Sequence, residues 1–199
     1  MNGNELEKRS ATNSEDDESD ERVGLELPKI LTYDEIDRFL LAVDDIEDLV
    51  AIRIMLFGGL RVSEASDVLV KDIDPESRSV FVRQGKGSKD RYAPLDIATI
   101  ALCQCYARKG KLKPEDHLFD CTTRTLQRHV TETGERAALN VWAHKLRHTC
   151  ATWQLDKGIP LEVVKNNLGH SSIEVTQIYL HLNIRQRSRT YSDCTRFGI

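Results

Sequence analysis

The longest apolar run in the chain, residues 49–60, is interrupted by Arg53 and carries Gly58-Gly59 near its end. It falls far short of the ~18 apolar residues that cross a bilayer. It predicts instead a helix of a globular domain, over about 46–57, stopped by the glycine pair. Upstream, Thr32 and Glu35 form a capping box ahead of Ile36, Phe39, Leu40 and Val43 at helical spacing. Downstream, a third helix is expected over about 61–70. The period then changes. Asp74-Pro75-Glu76 reads as a turn and Val80-Phe81-Val82 as a short strand, and a second strand is expected at about 92–95. Between the strands lies the polar loop Gly85-Lys86-Gly87-Ser88-Lys89-Asp90-Arg91. Helices resume at about 96–108, 122–138, 142–157 and 160–167, the last with Pro160 in its first turn and Gly169 behind it. One more begins at Ser172. The expected fold is mainly α with a small antiparallel β-sheet that bears a lysine loop.

The two ends read differently from this middle. Residues 1–26 are expected to be a disordered acidic tail, because they carry almost no large apolar groups with which to offset ordering entropy. The ordered domain is placed at 27–182, starting near Leu27-Pro28, and 183–199 form a polar, basic tail with Arg185, Arg187 and Arg189. The formal net charge of −4 conceals a division: residues 25–120 hold 14 bases and 18 acids, residues 121–199 hold 11 bases and 6 acids. The basic excess sits in the C-terminal part, although an excess of this size is also common on solvated surfaces. The polar N-terminus lacks the apolar segment of a signal peptide, which predicts an intracellular protein without a membrane span. Five cysteines with no C-x-x-C fit neither a disulfide framework nor a zinc ribbon, and they are expected to be reduced bystanders.

Five short strings carry chemistry only when taken together. Gly59-Leu60-Arg61-Val62-Ser63-Glu64 puts an arginine at a helix start, with Glu64 three residues on and able to hold it. Lys86 sits in the polar loop. His144 and Arg147, spaced i and i+3 in His144-Lys145-Leu146-Arg147-His148, share a helical face. Leu168-Gly169-His170 follows, and Tyr179 lies in Thr176-Gln177-Ile178-Tyr179. Each has an ordinary reading of its own. A glycine pair ends helices, a lone tyrosine is most often half-buried, and the His144/His148 pair looks like zinc spacing. A zinc protease, however, needs Glu directly after the first histidine, where this chain has Lys145.

In this order and at these intervals, the strings resemble the tyrosine recombinase, or phage-integrase, family. That family's signature is an Arg in a G-L-R-x-S-E context, a Lys on a β-hairpin, H-x-x-R, L-G-H, and a Tyr nine residues after that histidine. Here Tyr179 stands nine residues after His170, and His170 stands 23 after Arg147. The resemblance runs from about 27 to 182. It implies the family's catalytic-domain fold and an enzyme that cuts and rejoins DNA through a 3′-phosphotyrosine at Tyr179, without metal, ATP or another cofactor.

The residue types fit that chemistry. A phosphodiester repels nucleophiles and gathers further charge in its transition state; a guanidinium can grip two of its oxygens and stays charged. The resemblance assigns Arg61 and Arg147 to the non-bridging oxygens, His144 to general base and His170 to a hydrogen bond on the phosphate. It assigns Lys86 to general acid, with Lys89 the second choice. Tyrosine, with an ordinary pKa of about 10, needs such help. Glu64 is expected to support Arg61 rather than react. Double-stranded DNA is the implied partner, with a homotetramer on two DNA segments, a C-terminal segment docking on a neighbour, and a location in the cytoplasm on the nucleoid. Most members carry a separate N-terminal helical domain that closes a clamp on DNA. Residues 1–26 offer only a tail, as in small stand-alone invertases, so weaker and salt-sensitive binding or an accessory targeting protein is expected. A type IB topoisomerase, which shares a similar residue set, and a non-catalytic DNA-binding regulator are the alternatives.

Overall fold

The computed structural model describes residues 30–83 and 90–169. Lys86, Lys89, His170, Tyr179, the helix expected from Ser172 and both tails lie outside the described residues.

The elements run in chain order as α1 (Tyr33–Leu41), α2 (Ile46–Gly58), α3 (Val62–Ser66), a 3₁₀ turn (Val70–Asp72), β1 (Ile73–Asp74), β2 (Ser79–Val82), β3 (Arg91–Pro94), α4 (Ile97–Lys109), α5 (Thr123–Arg136), α6 (Ala143–Asp156) and α7 (Leu161–Leu168). The start of α1 follows from the capping box: Thr32 accepts from the Glu35 amide at 3.3 Å, and Glu35 reaches back to the Thr32 amide at 2.8 Å. Asp45 caps α2 through the Glu47 amide at 2.7 Å. Helix α2 is the axis of the domain, with Val50, Ala51, Ile52, Ile54, Met55 and Leu56 all buried. It packs against α3, α4, α5 and α6. A helix apolar on nearly every side has no solvent face to offer, so the other helices must surround it. Arg53, the interruption, is accommodated by Asp96 at 3.0 Å and Thr99 at 3.1 Å, with its guanidinium over the Phe57 ring.

Two expectations need correction. The sequence predicts a third helix over about 61–70, but α3 ends at Ser66. Beyond it the backbone turns extended to pair with a distant segment. The Val68 carbonyl accepts from the Leu118 amide at 2.8 Å, Leu69 bridges His117, and the Val70 amide donates to the Asp116 carbonyl at 3.0 Å. Those bonds replace the ones that a longer helix would have made. Pro160, read as part of the first turn of α7, is its N-cap residue.

The sheet is antiparallel in the order β1-β2-β3, one strand more than the sequence suggested. Its register sets Val80 opposite Ala93 and Val82 opposite Arg91. Alternation therefore turns Arg91 to the same side as buried Ala93. A second, smaller apolar cluster of Ala151, Leu155, Val164 and Leu168 joins α6 to α7. Among the described residues no helix is long and apolar enough to cross a membrane.

Candidate active site

The site is organised round one carboxylate. After α2, Gly59 adopts a left-handed conformation (φ 68°) and swings the chain so that Arg61 becomes the N-cap residue of α3. Glu64, one turn on, accepts the Arg61 amide at 2.7 Å and the Arg61 Nη1 at 2.8 Å. Arg91, entering from β3, donates Nη1 to Glu64 Oε1 at 3.1 Å and Nη2 to Oε2 at 2.8 Å. Arg147, from α6, brings Nη1 within 3.6 Å of Oε2. Three guanidiniums thus surround one carboxylate, and among these four described groups the cations exceed the acid by two. Burial pushes the Glu64 carboxyl up, but hydrogen bonds from Arg91 and the Arg61 amide, with the charges of Arg91 and Arg147, hold it at about 2.

Arg147 is 2% exposed. Its Nη1 donates to the Gly59 carbonyl at 2.6 Å and its Nη2 to the Leu168 carbonyl at 2.5 Å. Burial and the like charge of Arg61 pull this guanidinium down to about 10, against the attraction of Glu64. It remains cationic at neutral pH, held where an incoming anion would be strongly welcome.

A cavity of about 460 Å³ opens above these arginines, lined by Arg61, Val62 and Ser63 from the start of α3, Gln127 and Thr131 from α5, and Trp142, Ala143, His144 and Arg147 at the start of α6. The N-terminus of α6 faces the cavity, and its dipole adds to the positive field there. His144 packs edge-on against His148, ring centroids 4.2 Å apart. Lys145, between them, is tied to the Asn140 carbonyl at 2.8 Å. Among the described residues no three His, Cys, Asp or Glu side chains gather as metal ligands. The arrangement can seat a tetrahedral anion against two guanidiniums with an imidazole on the same wall.

Of the residues singled out in the sequence, Arg61, His144 and Arg147 come together on this cavity, and Glu64 stands behind them. Lys86, His170 and Tyr179 lie outside the described residues. Sequence reasoning missed Arg91, which it left in a polar loop, and the lining residues Gln127, Thr131 and Trp142. A signal for Arg91 was present: Arg91, Ala93 and Leu95 alternate along a strand, and the apolar pair fixes which face is inward. For Gln127 and Thr131 there was only the i, i+4 spacing on the polar face of α5.

Comparison with known proteins places the chain among relatives. The Phage integrase family model matches residues 29–186. A tyrosine recombinase XerA of Saccharolobus solfataricus is 40% identical over 154 residues, covering 77% of this chain and 52% of that protein. A tyrosine recombinase XerC of Yersinia pestis is 32% identical over 185 residues, covering 85% of this chain and 60% of that protein. The chain thus spans little more than half the length of these curated relatives. Among solved structures, a XerA recombinase matches with a TM-score of 0.72 at 29% identity, over 85% of this chain and 66% of that one. A XerH site-specific recombinase bound to a palindromic difH substrate matches with a TM-score of 0.70 at 27% identity, over 86% of this chain and 55% of that one.

Proposed function

Because this chain belongs to the phage integrase family, we propose that it is the catalytic domain of a site-specific DNA recombinase, with the Arg61–Arg147 cavity as the seat of the scissile phosphate. The observation that carries the reading is the convergence of Arg61, Arg147 and His144 on one cavity wall, from chain segments 88 positions apart at their contact. Two fixed guanidiniums stabilise the charge that builds on the non-bridging oxygens, and they do so without reorganising during the reaction. Kept partly desolvated, they act more strongly than they would in open water.

The Tyr179 oxygen attacks phosphorus as His144 takes the phenolic proton. The bond from phosphorus to the 5′ oxygen breaks, and Lys86 gives that oxygen a proton. A 3′-phosphotyrosine and a free 5′-hydroxyl result. The same hydroxyl, or one from another strand, then attacks the phosphotyrosine, restores the diester and releases Tyr179. The energy of the broken bond stays in the covalent link, so the exchange is near-neutral and reversible. The partner is double-stranded DNA, in keeping with the XerH relative bound to its difH substrate. Joining two duplexes requires a homo-oligomer, a tetramer on DNA, in which residues 183–199 dock on a neighbouring subunit. An accessory protein for targeting fits the scheme.

A nicked suicide-substrate library tests the reading. Cleavage beside the nick releases a short strand and traps the covalent adduct, which is read on a denaturing gel and mapped by sequencing. The expected result is adduct at a defined sequence, absent from Tyr179→Phe. Adduct that persists in Tyr179→Phe, or none from the parent chain on any DNA, overturns it.

A further inference from the structure

The three arginines round Glu64 are not equivalent. Arg61 and Arg147 line the cavity, while Arg91, 7% exposed, does not. All of Arg91's contacts point inward to the scaffold: both terminal nitrogens to Glu64, and Nε to the Asn167 carbonyl at 2.9 Å. That last contact belongs to a pattern. The carbonyls of Asn167, Leu168 and Gly169, successive at the end of α7, accept from Arg91, Arg147 and Arg61 at 2.9, 2.5 and 3.5 Å. The last carbonyls of a helix lack partners within it and carry the negative end of its dipole. Here each meets a different guanidinium, and all three guanidiniums also lie on one carboxylate. Glu64 and the end of α7 together form one acceptor frame. Two of the cations it holds face the cavity, and the third locks the frame itself.

We propose that Arg91 is a positioning residue for the phosphate site: it satisfies Glu64 so that this carboxylate orients Arg61 and Arg147 without cancelling the charge they offer the cavity. The proposal rests on the reading of the cavity as the scissile-phosphate seat. Without Arg91, the cations left to Glu64 among the described residues are the two cavity arginines. The excess charge falls from two to one, and the carboxylate draws both guanidiniums toward itself. The β3 strand and the end of α7 also lose the bond that joins them. Another fork of the same kind shows the contrast. Arg83 and Asp72 pair through two hydrogen bonds, but neither of them, nor Leu69, whose amide also donates to Asp72, lines the cavity, so that pair carries no such role.

The test compares single-turnover cleavage at saturating nicked DNA for the parent chain, Arg91→Gln, Arg91→Lys, Glu64→Gln and the double variant Arg91→Gln/Glu64→Gln, with thermal melts alongside. Arg91→Gln is expected to cleave about 10- to 100-fold more slowly, the usual range for a supporting contact behind a charged site. Arg91→Lys, which keeps charge but not the fork, is expected to lose less. Glu64→Gln loses the carboxylate that orients Arg61 and Arg147 and is expected to cleave more slowly than the parent, and adding Arg91→Gln to it is expected to cost little more, because no carboxylate is then left for Arg91 to satisfy. An Arg91 that acts apart from Glu64 predicts the same penalty in both backgrounds. An Arg91→Gln rate equal to the parent's, or an equal Arg91→Gln penalty with and without Glu64, overturns the assignment. Should Arg91→Gln fail to fold, Arg91→Lys decides, and a parent-like rate there overturns it. No adduct from the parent chain removes the phosphate-seat reading and this proposal with it. A normal parent rate beside an unaffected Arg91 variant strikes Arg91 alone.

Discussion

Glu64 shows how one acid can serve a cationic site. A buried carboxylate would ordinarily raise its pKa and shed its charge, but the Arg91 and Arg147 guanidiniums and the Arg61 backbone amide reverse that tendency. The consequence for stability has a definite sign. A carboxyl held at about 2 when folded, against 4.5 for the free group, stabilises the folded state at all pH values above about 4.5. That contribution, about 3 kcal/mol in full, fades as pH falls from about 4.5 and is lost once pH passes below the folded value. Glu64→Gln leaves buried guanidiniums uncompensated and is expected to cost about 3–5 kcal/mol at pH 7. In urea unfolding, the gap between the parent and Glu64→Gln should narrow steadily from pH 4.5 toward pH 2. A gap independent of pH would show that Glu64 is not ionised in this frame. The contact between Glu64 and Arg61 was legible in the sequence, because three residues on a helix start bring the two side chains together. Arg91 was not, because it meets Glu64 across 27 positions and Asn167 across 76. Only the strand alternation hinted that it points inward.

The elements that hold the site are short, and their ends carry the function. Gly59 closes α2, and its carbonyl accepts from Arg147 at 2.6 Å. Its φ of 68° and a Cβ that would stand 2.2 Å from Leu168 Cδ2 and 3.1 Å from Cys150 Sγ exclude a larger residue. Gly59→Ala is expected to destabilise the domain by about 1–3 kcal/mol in urea unfolding, and to slow cleavage beyond what the loss of folded protein explains. A stability unchanged within about 0.5 kcal/mol would contradict the packing described. Most helix bounds were readable because periodicity, caps and glycines mark them locally. The short α3 and strand β1 were not. The end of α3 is decided by backbone pairing with residues 116–118, far along the chain, and β1 by two residues that pair with β2 across the turn at 75–78, too short a strand for alternation to mark. Sequence periodicity carries no trace of such pairings.

At the scale of the whole molecule, a chain of net charge −4 is expected to bind a polyanion because its cations are concentrated rather than abundant. The order and intervals of the strings between Arg61 and Tyr179 made the family legible, yet nothing local foretold that Glu64 would gather three arginines. Binding that depends on few phosphate contacts releases few counterions. The affinity of this chain for duplex DNA should fall with salt along a modest slope, and Arg61→Ala should lower that slope by about one. An unchanged slope in a titration from low to physiological salt would place Arg61 away from the phosphates. At the site itself, Arg61 and Arg147 are proposed to act on the charge of the scissile phosphate. Replacing that phosphate by a neutral methylphosphonate measures it most directly. On ordinary DNA, Arg147→Gln is expected to slow single-turnover cleavage by about 10²–10³ relative to the parent chain. On the methylphosphonate the same substitution should cost no more than a few-fold, because the charge it served is gone. An equal penalty on both substrates would mean that Arg147 supports the fold and not the phosphate, and would contradict the account.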